Sequence, residues 1–363
     1  MRSFAATLRP GSGALDRATL ARLLMIGSAC GLGLAAILSL AIGPTGISLG
    51  SLPGAIGAVF FDGDSAASAR ERLVLLDLRL PRTLLGMFVG AALAVAGAIL
   101  QGLFRNPLAD PGLVGVSSGA ALGAAIAIGF GNALMPQFMN VAGIYAISVA
   151  AFLGGIVTTS LLVALTAKRG RLAISTLLLT GIAVGAMADG ARGFIAFASN
   201  DRELRDLTFW SLGSLTGASW PKVVAAAPFA VLAVLALPKL VRSLNGFLLG
   251  EAEAFHLGVD TERTKYLCVT VAAAIVGAAV AVAGIVVFVG LIVPHVVRLI
   301  AGPDHRIVLP ASALLGGMLV LVADIIARMV VAPAELPLGI VMVVIGGPVF
   351  LHLVLNRGIG SAN

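Results

Sequence analysis

The stretch LLGMFVGAALAVAGAILQGLF, Leu84–Phe104, contains no charged side chain. A helix crosses a bilayer core with about 20 apolar residues, so this segment by itself predicts a membrane span. Working outward, comparable windows fall at Leu23–Ile42, Leu113–Phe130, Val141–Leu165, Leu172–Ile195, Val223–Leu240, Leu267–Phe288, Val308–Val331 and Leu338–Leu355. The apolar stretch Leu267–Ala301 is too long for one crossing and is interrupted at Pro294, which places a short tenth span near Pro294–Ala301. Composition agrees: 59% of the 363 residues are hydrophobic and 11% charged, whereas soluble domains carry about 25% charged residues. Soluble globular, disordered, collagenous and disulfide-scaffold classes are excluded. The fold class is an all-α polytopic membrane protein of about ten transmembrane helices. A cytoplasmic tail, residues 1–22, precedes a single transmembrane domain, residues 23–356.

The net charge of +7 raises the question of nucleic acid. No lysine run exists, and basic residues gather at the cytoplasmic ends of spans in any such protein, so no nucleic-acid partner is expected. With a cytoplasmic N-terminus, fifteen Lys and Arg fall inside and nine outside, which puts both termini inside. The tail contributes Arg2, Arg9, Arg17 and Arg22 and reads as uncleaved. Gly90–Gly97 (GAALAVAG) and Gly277–Gly284 (GAAVAVAG) match at seven of eight positions with an offset of 187, which also carries Pro107 onto Pro294. Five spans separate the copies, so the halves, about 23–205 and 206–356, are expected to be inverted repeats, as in transporters that alternate access. The plainer reading of these small residues is close helix packing.

Chemistry-bearing motifs are sparse. The four lysines follow Ala167, Pro221, Pro238 and Thr264, so no Gly-Lys dipeptide and no Walker A loop exists. If ATP drives this chain, the ATPase is a separate subunit. His256, His295, His305 and His352 show no metal-ligand spacing, and Cys30 and Cys268 both lie in apolar runs. No catalytic residue, metal site or cofactor is expected, and the chain reads as a transport subunit rather than an enzyme.

The segment LRLPRTLLGMFVGAALAVAGAILQGLFRNPLADPGLVGVSSGAALG, Leu78–Gly123, resembles the signature region of bacterial ABC-importer permeases for cobalamin, ferric siderophores and haem. LGEAEAFHLGV (Leu249–Val259), VGLIVPHVVRLIAGPDHR (Val289–Arg306) and LVADIIARMVVAPAELPLGIVMVVIGGPVFL (Leu321–Leu351) resemble the same family in the same order. LRDLTFWSLGSLTGASW (Leu204–Trp220) looks most like the haem members. The resemblance implies an inner-membrane homodimer with two ATPase subunits inside and a periplasmic substrate-binding protein outside. It also implies a translocation path between the two permeases, with haem or a related iron chelate as cargo. A ferric-siderophore or cobalamin permease is the alternative within the family, and an ion-coupled secondary transporter the alternative outside it.

Three groups of residues follow from the resemblance. In the loop Ser243–Lys265, Gly250, Glu251, Ala254, Leu257 and Gly258 match the family's ATPase-coupling helix. Ala254 and Leu257 are expected on one face at i, i+3, Gly258 closes the helix, and the small Ala254 permits close contact with the ATPase; the alternative is a solvated connector. Arg79, Arg82 and Arg328 match arginines that receive acidic residues of the binding protein, through a planar fork suited to carboxylates. As exposed pairs they would individually be worth little. Headgroup anchoring is the alternative, and for Arg328 neutralisation by Asp324 at i−4. Asp189 and Arg192, in an otherwise apolar span, are expected either to line the path or to satisfy each other as an ion pair.

Overall fold

The computed structural model describes residues 17–43, 57, 71–168 and 170–360. Residues 1–16 of the tail, with Arg2 and Arg9, lie outside the described residues. Thirteen α-helices are described: α1 (Arg17–Ala41), α2 (Leu80–Phe104), α3 (Val116–Leu134), α4 (Pro136–Ala142), α5 (Ala146–Thr166), α6 (Ile174–Ala198), α7 (Asp201–Ser211), α8 (Trp220–Phe247), α9 (Glu251–His256), α10 (Thr261–Ala283), α11 (Val289–Ala301), α12 (His305–Met329) and α13 (Leu338–Gly360). Nine helical segments are long and apolar enough to cross a membrane, and α11 is a shorter apolar helix of 13 residues. The all-α polytopic class therefore holds. A hairpin of two-residue strands, β1 (Ala167–Lys168) and β2 (Arg171–Leu172), links α5 to α6.

Helix α2 is the axis of the bundle. It packs on α10, α11 and α12, and together with α10 it is the most buried of the described spans. The reason is in its glycines. A Cβ on Gly90 would penetrate the Gly316 carbonyl of α12, and one on Gly97 would penetrate the Gly290 carbonyl of α11. The backbones therefore touch without side chains between them, the arrangement that small residues permit where helices have no water to expel.

The break in the long apolar stretch is not where the proline is. Helix α10 stops at Gly284 (φ +69), a short non-helical link follows, and α11 starts at Val289 with Pro294 inside it. The short tenth span is thus Val289–Ala301 rather than Pro294–Ala301. Pro294 has no N–H to give the Gly290 carbonyl four residues back. The Gln101 amide of α2 supplies that bond instead, donating from Nε2 to Gly290 O at 3.2 Å and Leu291 O at 3.1 Å. The two matching octapeptides fall on the two most buried spans, but the helix runs on through Gly97 and ends at Gly284. Pro107 lies in a loop and Pro294 in a helix.

Replacing Gly97 with Ala should lower the thermal midpoint of the purified chain markedly, because the obstacle is backbone; overpacking of this kind costs about 1–3 kcal/mol or more. Gly27→Ala, where a Cβ meets nothing within 4 Å, should leave the midpoint unchanged. Equal midpoints for both variants would refute the backbone contact.

Candidate coupling and translocation site

At one end of α8 the chain turns through Gly250 (φ +120), forms the short helix α9 and turns again through Gly258 (φ +82). Both glycines hold backbone conformations that L side chains rarely adopt. The exit is a Schellman closure: Val259 N–H donates to Ala254 O at 3.0 Å and Gly258 N–H to Phe255 O at 2.9 Å. Gly258 therefore closes the helix as the sequence predicts. The expected shared face of Ala254 and Leu257 is not found. Ala254 is fully buried against α8, beneath Gly246, whereas Leu257 is 61% exposed. Ala254 is small because the loop folds back on its own chain, so the expected ATPase contact at Ala254 is corrected. The outward apolar surface is made by Leu249, Phe255 and Leu257.

Glu251 is tied inward. Its carboxylate pairs with Lys265, whose buried ammonium also reaches Glu262 at 2.9 Å. The second oxygen of Glu262 accepts the Leu172 N–H at 2.8 Å. One lysine thus joins α9 to α10, and through Glu262 to the hairpin from which α6 begins. Asn245 of α8 adds a further tie at this end, donating to Asp304 at 2.7 Å and accepting from the His305 N–H at 2.9 Å.

At the opposite end the three arginines face inward. Arg82 grips Asp324 through Nε and Nη2 (2.8–3.1 Å) and Glu335 through Nη1 and Nη2 (both 2.9 Å). Arg328 pairs with Asp324 at 3.1 Å and donates to Ser39 Oγ at 3.2 Å. Arg79 is buried and donates to the Leu40 and Ala41 carbonyls that end α1. Thr216 completes the cluster, donating to Glu335 at 2.6 Å. Burial by itself would raise the Glu335 carboxyl; the hydrogen bonds from Arg82 and Thr216 outweigh it and hold the group below the usual carboxylate range. The expectation of three guanidinium groups free for a partner is therefore corrected. Asp324 is 2% exposed, and a buried carboxylate in a membrane protein takes whatever cations the sequence places beside it.

Asp189 and Arg192 form an i, i+3 ion pair at 3.3 Å, 51% and 32% exposed. Leu177, Gly181, Gly185 and Ala188 make the buried face of α6, and the other side carries Leu179, Met187, Phe194 and Phe197 open in the isolated chain. The pair is thus self-satisfied and also stands beside an uncovered face.

A family model described as the FecCD transport family matches residues 31–356. The chain belongs to the FecCD transport family. Similar to it are the cobalamin import system permease protein of Halobacterium salinarum, 44% identical over 79% of this chain and 74% of that one, and the hemin transport system permease protein of Yersinia pestis, 43% identical over 78% and 84%. A solved chain described as an inward-facing metal-chelate type ABC transporter superposes with a TM-score of 0.77 at 30% identity, over 92% of this chain and 99% of that one.

Two residues of this FecCD chain escaped the sequence reading. Gln101 is the one polar side chain in the stretch Leu84–Phe104, which was the signal available. Its Nε2 serves α11, and its Oε1 accepts from Arg298. Lys265 counted only as one more inside charge, since the carboxylates that enclose it come from α9 and its own helix.

Arg82→Ala should cost about 3–5 kcal/mol, as expected when one partner of a buried pair is removed, whereas Arg192→Ala should stay within about 1 kcal/mol. The folded-state carboxyl of Glu335 is depressed, so its contribution is present above the ordinary value of 4.5 and fades as pH falls below it. Thermal midpoints between pH 3 and 7 should therefore fall less steeply in Arg82→Ala than in the parent. A mild, pH-parallel loss would contradict the clasp.

Proposed function

We propose that this chain is the permease subunit of an ATP-driven ABC importer that carries haem from the periplasm across the bacterial inner membrane. The observation that carries the reading is the glycine-bracketed α9 knob, an exposed apolar surface of Leu249, Phe255 and Leu257 on a loop that a polytopic protein would otherwise keep polar. Three large apolar side chains exposed on one short loop suit a contact surface, and the ATPase is its natural occupant. Haem is favoured by the Leu204–Trp220 segment and by the hemin relative. The Halobacterium relative supports cobalamin as a second reading.

The route for coupling runs through named bonds. An ATPase that shifts α9 pulls on Lys265 through Glu251, on the hairpin through Glu262 and Leu172, and so on the start of α6. Helix α2, held to α11 and α12 by backbone contact, is the fixed part against which α6 moves. A second copy of the chain would cover the open face of α6, placing Asp189 and Arg192 beside the path between the copies. There the guanidinium can receive a carboxylate of the cargo, such as a haem propionate. The periplasmic binding protein would dock on the outer face, where Arg79, Arg82 and Arg328 are already engaged. It therefore draws on other surface groups there. Both termini lie inside in this reading.

Phe255→Asp with Leu257→Asp should abolish ATPase association and ATP-driven uptake in reconstituted vesicles while the permease remains folded, because both side chains point away from the chain. Haem uptake should exceed uptake of ferric siderophores and cobalamin at least tenfold. Preferential cobalamin uptake would move the assignment to the second reading, and undiminished ATPase binding by the double variant would remove the coupling role from α9.

A further inference from the structure

Lys222 is the third residue of α8, at the end opposite α9. It is half-buried, and among the described residues it makes no hydrogen bond or ion pair. Every other buried or half-buried cation considered above has a carboxylate or a carbonyl. Lys222 instead lines a cavity of about 350 Å³ between α5, α8 and α10, whose walls are almost wholly apolar: Phe152 and Phe229, with ring centroids 5.0 Å apart, and Val149, Leu153 and Val282. Tyr145 and Ser148 also line the cavity. The start of α8 has no side-chain cap, so the positive end of a 28-residue helix adds to the lysine's charge. From Lys222 to Phe229 is about 10 Å along the helix at 1.5 Å per residue, the reach from a headgroup layer into hydrocarbon.

We propose that this crevice is a binding site for an anionic diacyl phospholipid of the leaflet on the side away from α9. The phosphodiester pairs with the Lys222 ammonium and the first turn of α8, and an acyl chain lies against Phe152 and Phe229. A bilayer lipid, rather than a soluble phosphate, is the occupant because the cavity lies between membrane spans and offers apolar walls beneath the charge. The site is independent of the cargo and of α9.

The chain has two tryptophans, Trp210 and Trp220, which makes a single-tryptophan reporter practicable. Trp210→Phe, Trp220→Phe and Phe229→Trp in the full chain, reconstituted in bilayers, place the fluorophore in the crevice. Val149→Trp, on the same cavity, serves as a second reporter should Phe229→Trp fail to fold. Quenching by brominated phosphatidylglycerol titrated into phosphatidylcholine should report about a fivefold preference over brominated phosphatidylcholine, the ratio equivalent to about 1 kcal/mol for one basic residue at an anionic surface. Lys222→Gln should reduce the ratio to about one, and Lys222→Arg should retain it. Equal quenching by the two lipids, a preference that survives Lys222→Gln, or no quenching by either lipid would each overturn the proposal.

Discussion

The structure depends on one close approach. Helix α2 lies with its backbone directly against α11 at Gly97 and Gly290, and against α12 at Gly90 and Gly316. In lipid no hydrophobic force drives helices together, so contact must come from packing and from polar groups satisfied inside the bundle. Gln101 supplies the polar part. It fills the vacancy that Pro294 leaves in the α11 ladder and anchors Arg298. Glycine contact and amide bond reinforce each other, since the amide reaches those carbonyls only because no side chain stands between the helices.

Charges are then confined to the two ends of this apolar axis, and each end is clasped differently. At one, Arg82 and Arg328 enclose Asp324, and Arg82 extends the cluster to Glu335 and the loop before α8. At the other, Lys265 holds Glu251 and Glu262. The first clasp fixes α1, α2 and α12 to one another. The second joins the peripheral pieces α9, α10 and the hairpin leading to α6. A rigid axis with one fixed end and one linked end is the arrangement that the proposed coupling through α9 requires.

Much of the fold was legible because hydrophobic runs of about 20 residues leave little choice in a membrane. The nine long spans all lie where the apolar windows put them. The break at Gly284 was misplaced because proline is the stronger signal in a sequence, whereas the structural decision came from Trp210 and Gly213 packing on Gly284, which is a tertiary fact. Helix α9 was legible from its bracketing glycines, and Leu257 is exposed as expected, yet Ala254 falls on the buried side: a six-residue helix shows too little periodicity to say which side is buried. Arg79, Arg82 and Arg328 were legible as a group and misleading as a surface, because Asp324 and Glu335 lie more than 240 residues along the chain from Arg82. Only the Asp324–Arg328 spacing of four hinted at it.

The central claim is that α9 and α6 move as one linked unit against a fixed α2–α12 axis. With Cys30 and Cys268 replaced, spin labels at Glu253→Cys, on α9 but outside its apolar surface, and Leu179→Cys report the first relation, and labels at Leu179→Cys and Val322→Cys the second. In the complex with its ATPase, pulsed distance measurements with and without nucleotide should show an unchanged α9–α6 distance and a shifted α6–α12 distance. A shifted α9–α6 distance beside a constant α6–α12 distance would contradict the account.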